Sequence, residues 1–226
     1  MNSSRGKETT VLGTTAFDLS YATLNADVAK DSPGRAGTSA ARIATAGTAG
    51  KFEAGNADTA SISFDGDVYS FNGGNVLFEA ASGNTFVNTQ TTNAVTDFIT
   101  SGEDIEFKGG TLHVTATGVK IATSNGAVTV NSADGTEDET FEIDAGSGAV
   151  SVGRIGGTNA SGEGIHSVAI TSSHATGITL SGNITTSNTG TNNVTLTGPV
   201  VIDGDVDTVS YTHLRAHETE ADLVCR

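Results

Sequence analysis

The sequence predicts an all-β chain, and three observations carry that prediction. Gly, Thr, Ser and Asn supply 100 of the 226 residues, with aromatics at 5% and no Trp. That small, β-leaning composition disfavours helical bundles, which draw on Ala, Leu, Glu, Lys and Arg. From Ser61 to Thr208, twelve pairs of large apolar residues are each separated by one small or polar residue. This is the period-2 signature of short strands with one buried face. Turn formers stand between the pairs, among them Asn72-Gly73-Gly74, Lys108-Gly109-Gly110, Asn125-Gly126, Asp134-Gly135, Gly156-Gly157 and Asp203-Gly204. Glycine takes positive φ there without steric cost, and Asn or Asp tolerates it.

Taken in order, residues 1–60 are the least patterned part and read as degenerate coils or disorder. Arg5 and Lys7 are followed by no sustained apolar run, because Thr9, Thr10, Thr14, Thr15 and Asp18 interrupt it. A secretory signal peptide is therefore not expected here. The strand region, 61–208, opens with Ile62/Phe64 and Val76/Phe78. It continues through Ile105/Phe107, Leu112/Val114, Val119/Ile121, Val128/Val130, Phe141/Ile143 and Val150/Val152. The last four pairs are Val168/Ile170, Ile178/Leu180, Val194/Leu196 and Val200/Ile202. No apolar run is long enough to span a bilayer.

Two all-β architectures accommodate this pattern. An antiparallel β-sandwich expects strands every 8–12 residues, and some spacings fit. A parallel β-solenoid expects very short strands in imperfect coils of roughly 20–25 residues. Tracing one strand per coil as Ile105, Val128, Val150 and Val168 gives steps of 23, 22 and 18. Two inward residues per strand suit the thin core of a solenoid, so the solenoid is the expected fold and the sandwich the runner-up.

The segment Phe141-Glu142-Ile143-Asp144-Ala145-Gly146-Ser147-Gly148-Ala149-Val150 is followed by Ile155-Gly156-Gly157-Thr158. Later come Ile178-Thr179-Leu180-Ser181-Gly182-Asn183-Ile184-Thr185-Thr186 and Val194-Thr195-Leu196-Thr197-Gly198-Pro199-Val200. Together these resemble the β-strand repeats of large bacterial exoproteins of the filamentous-haemagglutinin type. The resemblance covers 61–208, about two thirds of the chain. It implies a right-handed parallel β-helix, incomplete here, that is exported and displayed at the cell surface or released outside the cell as an adhesive rod. It implies no catalytic residues. Neither the secretion-signal domain of that family nor a C-terminal barrel or anchor has a match, which is expected of an internal fragment. The partners expected of such a rod are host-surface or matrix glycans or proteins and the remaining repeats of the parent chain. Nucleic acid is not among them, because 11 basic against 26 acidic residues give a net charge of −15, which repels phosphates.

Residues 209–226 differ in texture, with five charges, the single cysteine and two of the five histidines. They resemble the translated read-through of a sequencing adapter, a peptide found at the ends of unrelated predicted proteins, and are set aside from the fold. His213 and His217 stand four apart with Glu218 and Cys225 beyond them, a spacing that would suit zinc. Leu214 occupies the place where a zinc-protease helix carries its Glu, so metal chemistry is not assigned.

The tetrapeptide Asp-Gly-Asp-Val occurs twice, at 65–68 and 203–206, and Asp207 extends the second copy. Asp65, Asp67, Asp203, Asp205 and Asp207 are the candidate calcium ligands, since calcium takes six to eight oxygens. Neither copy completes a calcium-loop spacing, so turn capping by the aspartates is the preferred reading and no cofactor is expected. The run Asp134-Gly135-Thr136-Glu137-Asp138-Glu139 reads as a solvated loop. His113, His166 and His174 read as lone surface histidines, with His113 pointing outward between Leu112 and Val114. Thr115/Thr117 and Thr195/Thr197 suggest a threonine array of the ice-binding kind, which the unequal coil steps argue against; they read instead as solvent-face strand residues.

The competing functional class is a β-helical polysaccharide lyase or hydrolase. Lyase chemistry on acidic sugars needs basic residues, and 61–208 holds only Lys108, Lys120 and Arg154. A hydrolase needs two carboxylates about 5–10 Å apart flanking a cleft. Aspartates are plentiful, but Tyr69 is the only tyrosine in the strand region and no tryptophan accompanies it. A non-catalytic structural or adhesive rod segment is the expectation.

Overall fold

In a computed structural model of the chain, the described residues are 9–11, 17–19, 40–43, 52–56, 61–64, 68–71, 74–80, 83–87, 95–136, 139–157, 164–187 and 193–209. They form a β-solenoid whose strands fall on three faces. The first face stacks β1 (Thr9–Val11), β4 (Phe52–Asn56), β7 (Val76–Ala80), β10 (Ile105–Gly109) and the first half of β13 (Val128–Gly135). It continues through the first half of β15 (Val150–Ile155), β17 (Ile178–Leu180) and β20 (Val200–Ile202). The second face stacks β2 (Phe17–Leu19), β5 (Ser61–Phe64), β8 (Asn84–Val87), β11 (Leu112–Val114) and the second half of β13. Above these lie the end of β15, β18 (Ile184–Thr185) and β21 (Thr208–Val209). The third face holds β3 (Ala40–Ile43), β6 (Val68–Phe71), β9 (Thr96–Thr100), β12 (Gly118–Ala122), β14 (Glu139–Asp144), β16 (Ile165–Thr171) and β19 (Asn193–Thr197).

Among the described residues every strand pairing is parallel, so the fold is the solenoid and not the antiparallel sandwich. From Val95 to Thr208 the chain winds about five turns. All twelve apolar pairs fall on strands. The trace through Val168 needs correction. Val168 belongs to the third face, where it pairs with Phe141. The strand above Val150 on the first face begins at Ile178, so the coil step there is 28 residues.

Backbone hydrogen bonds repeat at one place on the first face. The amides of Val76, Ile105, Val128, Val150 and Ile178 donate to the carbonyls of Asp104, Ala127, Ala149, Gly177 and Pro199, at 2.8, 2.9, 2.9, 3.0 and 2.8 Å. Pro199 lacks an amide hydrogen, but only its carbonyl is used here, so the ladder loses no donor.

The interior is a column of inward residues, each coil covering the last. Its first part is aromatic. Phe64 lies edge-on to Phe78 and Phe98 with ring centroids 4.9 and 4.8 Å apart, Tyr69 stacks on Phe98 at 5.3 Å, and Phe107 tilts against Phe78 at 5.0 Å. These geometries match the ring quadrupole and add to area burial. Higher up, Val128, Val130, Val150, Val152, Ile178 and Leu180 continue the column in aliphatic form, each at most 1% exposed.

The corner between the third and first faces is built from buried hydroxyls. Thr100, Thr123 and Ser172 donate to the carbonyls of Glu103, Gly126 and Gly148 at 2.6, 2.5 and 2.7 Å. A buried hydroxyl without a partner would cost about 1–3 kcal/mol; Thr100 and Thr123 are satisfied within their own corners, and Ser172 by the corner of the coil below. The Asp144-Ala145-Gly146-Ser147-Gly148 motif is the corner that receives Ser172, with Ala145 at the position Thr123 and Ser172 hold in theirs. Asp144 accepts the Gly146 amide at 3.2 Å, and the Gly148 amide donates to Ala145 at 2.8 Å.

Candidate binding surfaces

Among the described residues the inward positions are mostly apolar, and the outward positions carry most of the polar side chains. Register places these in rows running up each face. On the first face Leu77, Glu106, Thr129, Ser151, Thr179 and Val201 occupy equivalent positions on successive coils. Beside them Lys108 pairs with Glu79 at 3.1 Å. On the second face the row is Ser63, Phe86, His113 and Asp134. The Phe86 and His113 rings meet edge-to-face with centroids 5.7 Å apart. His113 is outward, as alternation requires, and half-buried against that ring.

On the third face Asp97, Lys120 and Glu142 succeed one another, followed by Ala169 and Thr195. The Lys120 ammonium donates to Glu142 Oε1 at 2.5 Å. That hydrogen bond raises the Lys120 pKa above its ordinary value, with burial opposing and the nearby carboxylates assisting. Burial raises Asp97 above the usual carboxylate value; Lys120 pulls it back and Glu142 adds to the rise. Sequence alternation places each of these residues outward, but their row exists only through coil register.

The second Asp-Gly-Asp copy lies on the turn after β20, where Asp203, Asp205 and Asp207 are exposed. Their amides serve the fold: Asp203 donates to Leu180 at 2.8 Å and Asp207 to Asn183 Oδ1 at 2.9 Å. Asp65 and Asp67 lie outside the described residues. The strands preceding the two copies, β5 and β20, belong to different faces, so the repetition in sequence is not a repetition in space. Among the described residues, no group of three or more His, Cys, Asp or Glu is placed to hold a metal ion.

The acidic run at 134–139 departs from a solvated loop. Glu139 is 5% exposed, and its carboxylate accepts the Thr136 amide at 3.0 Å and the Thr136 hydroxyl. Asp134 caps its own turn through the Gly135 amide at 2.8 Å. A local donor pair thus draws one acid of the run inward, which a count of charges does not reveal.

The three described histidines stand apart by element. His113 is on β11, His166 on β16, and His174 on the turn before β17, where its Nδ1 lies 2.8 Å from the Thr176 hydroxyl. His213, His217, Glu218 and Cys225 lie outside the described residues. Tyr69 is fully buried in the aromatic column, so it presents no platform to a ligand. Thr195 and Thr197 are exposed on β19, beside Ala169 and Thr171. Thr115 is half-buried on a corner, its hydroxyl donating to Val87 at 3.2 Å. Register between strands is kept despite unequal coil lengths, so the unequal steps do not preclude a threonine array. The array still ends within two coils, because Glu142 and Asp144 stand below Ala169 and Thr171. No helix among the described residues is long and apolar enough to cross a membrane. In comparisons with known proteins, no family model matches the chain, nor does any curated protein or solved structure.

Proposed function

We propose that this chain is a structural and adhesive rod segment of a large exported bacterial surface protein, working without catalysis outside the cell or at its surface. The observation that carries the reading is the outward row Glu106, Thr129, Ser151 and Thr179, one side chain per coil on a single face. Neighbouring strands in a sheet are about 4.8 Å apart, so a row presents similar groups at molecular spacing along a stiff axis. Each contact with a matrix or host-surface glycan or protein is weak, and their sum is avidity. The resemblance to filamentous-haemagglutinin-type repeats supports the same role, and the reading assigns no cofactor.

The test compares the chain in solution with the chain displayed densely on beads, against a panel of matrix glycans and proteins. Retention of the beads, with weak or unmeasurable binding by the single chain, is the expected outcome. Release of sugar from any member of a polysaccharide panel would replace this reading with a carbohydrate-active enzyme. Equal retention of coated and bare beads would remove the adhesive half of it.

A further inference from the structure

We infer that Asn125 is a self-modification site: the Gly126 amide nitrogen closes on the Asn125 side chain, ammonia leaves, and the corner reopens as aspartate or isoaspartate. The adhesive reading is not needed for it. Of the asparagines that the structure describes in 74–209, Asn125 is the one followed by glycine. Asn75, Asn84, Asn183 and Asn193 precede Val76, Thr85, Ile184 and Val194, whose branched Cβ screens the amide nitrogen that would have to attack. Asn131 precedes Ser132, and its Nδ2 is held by donating to the Gly109 carbonyl at 2.5 Å.

The attacking nitrogen is also loosely engaged at this corner. The amides of Val76, Thr85 and Ile184 donate to carbonyls of the next coil at 2.8, 3.0 and 3.1 Å, whereas the Gly126 amide donates to Thr123 at 3.3 Å. That length lies beyond the usual range of an N–H···O bond. Glycine cannot give way to a bulkier residue here, since a Cβ on Gly126 would lie 2.1 Å from the Glu103 carbonyl oxygen of the coil below. Close stacking of the coils thus imposes the residue type that leaves Asn125 open to attack.

The Asn125 side chain is exposed, and its Oδ1 accepts the Ser147 hydroxyl at 2.7 Å and the Ser147 amide at 3.3 Å from the coil above. A backbone amide can only donate, so the side-chain oxygen and not its nitrogen faces Ser147. Two donors on that oxygen stabilise the negative charge that Oδ1 takes as the ring closes. Among the described residues Nδ2 has no hydrogen bond, so none of them ties down the leaving group.

The atoms balance with water alone. Hydroxide takes the Gly126 amide proton, the N–Cγ bond forms, and the Cγ–Nδ2 bond breaks as Nδ2 takes a proton from water and leaves as ammonia. Water then opens the ring. Cleavage of N–Cγ gives aspartate, and cleavage at the backbone carbonyl gives isoaspartate, which adds one methylene to the main chain. That methylene enters a corner closed by the Thr123 hydroxyl donating to the Gly126 carbonyl at 2.5 Å. Isoaspartate therefore loosens the corner and with it the Val128 amide, which donates to Ala149 at 2.9 Å.

Peptide mapping of the full chain during incubation in mildly alkaline buffer tests this, with the chain in urea as the unfolded control. The expected result is conversion at Asn125 before any other described asparagine, with both products present and Val128 exchanging hydrogen faster in the isoaspartate form. Ser147→Ala should slow the conversion about three- to tenfold in the folded chain, the worth of one hydrogen bond, and leave it unchanged in urea. Asn125→Gln, which would need a six-membered ring, should keep the far-ultraviolet strand spectrum and abolish the change. Asn125 still intact when Asn75 or Asn131 has converted overturns the inference, as does a folded chain that stays intact while the chain in urea converts. It is equally overturned if folded Ser147→Ala converts at least as fast as wild type.

Discussion

Val150 and Ile178 are register partners on adjacent coils of the first face although 28 residues separate them, six more than separate Val128 from Val150. Most of the excess lies between the second and third faces. Ala133 and Ile155 are partners, and so are Thr140 and Ser167, so the upper coil takes 12 residues where the lower takes 7. The register shift between Glu139 and Thr140 absorbs one of them. Length is thus free between faces and fixed within strands. Shortening the 12-residue step from Ile155 to Ser167 by three residues should leave stability within about 1 kcal/mol, since closure entropy varies slowly with length. Removing Ser151 alone should turn Val152 to the wrong face and cost about 3 kcal/mol or more. Urea unfolding of the two deletions measures the difference.

That asymmetry explains what could be read from the sequence. Strand positions were legible because alternation is local: Ile105/Phe107 or Val128/Val130 needs no distant partner to show its period. Stacking order was not, because all three faces use the same apolar pair. Nothing in Val168/Ile170 distinguishes a third-face strand from the first-face strand at Ile178/Leu180. The aromatic column was hidden for the same reason, with Phe64, Phe78 and Phe98 arriving from three different faces. Outward rows such as Asp97, Lys120 and Glu142 depend on register and were equally invisible, whereas the outward direction of His113 followed from its neighbours.

Phe98 is the ring on which the aromatic column turns. It lies 4.8 Å from Phe64, 5.3 Å from Tyr69 and 5.3 Å from Phe107 by ring centroid, and it is fully buried. Phe98→Ala opens a cavity that rigid parallel coils cannot collapse, so the expected loss is about 3–5 kcal/mol. Ile202→Ala, at a position on β20 that is 54% exposed, should change stability by less than about 0.5 kcal/mol. Chemical denaturation of the two variants separates these outcomes. A small effect at Phe98 would mean that the column is loosely packed.

Gly148 shows how closely the coils approach at a corner. A Cβ added there would lie 1.9 Å from the Gly126 carbonyl oxygen of the coil below. That neighbour is backbone held in the corner, its oxygen accepting the Thr123 hydroxyl at 2.5 Å, so it has little room to yield. Gly148→Ala should cost about 3 kcal/mol by overpacking. Hydrogen exchange should show the loss at the corner amides of both coils, Val128 and Val150. Unchanged protection at Val128 would mean that the clash is relieved within one coil.

The row Asp97, Lys120 and Glu142 gives the pH dependence a definite sign. The folded chain raises the Lys120 pKa above 10.5, so this contribution is fully present below that value and is lost as pH climbs through the raised one. Folding also raises Asp97 above 3.8, which means that its charged form is disfavoured at neutral pH. Stability from that site is recovered as pH falls through the raised value toward 3.8. The Lys120 and Glu142 side chains are 37 and 43% exposed, so water and salt screen the pair and about 0.5 kcal/mol is the expected scale. Lys120→Met should therefore lower stability by about that amount at pH 7 and low salt, with the difference fading above pH 10.5. Asp97→Asn should be neutral to slightly stabilising at pH 7 and without effect below pH 3.8, where wild type is already protonated. Urea midpoints across pH for the two variants check both signs, and a destabilising Asp97→Asn would show that attraction to Lys120 outweighs burial at this site.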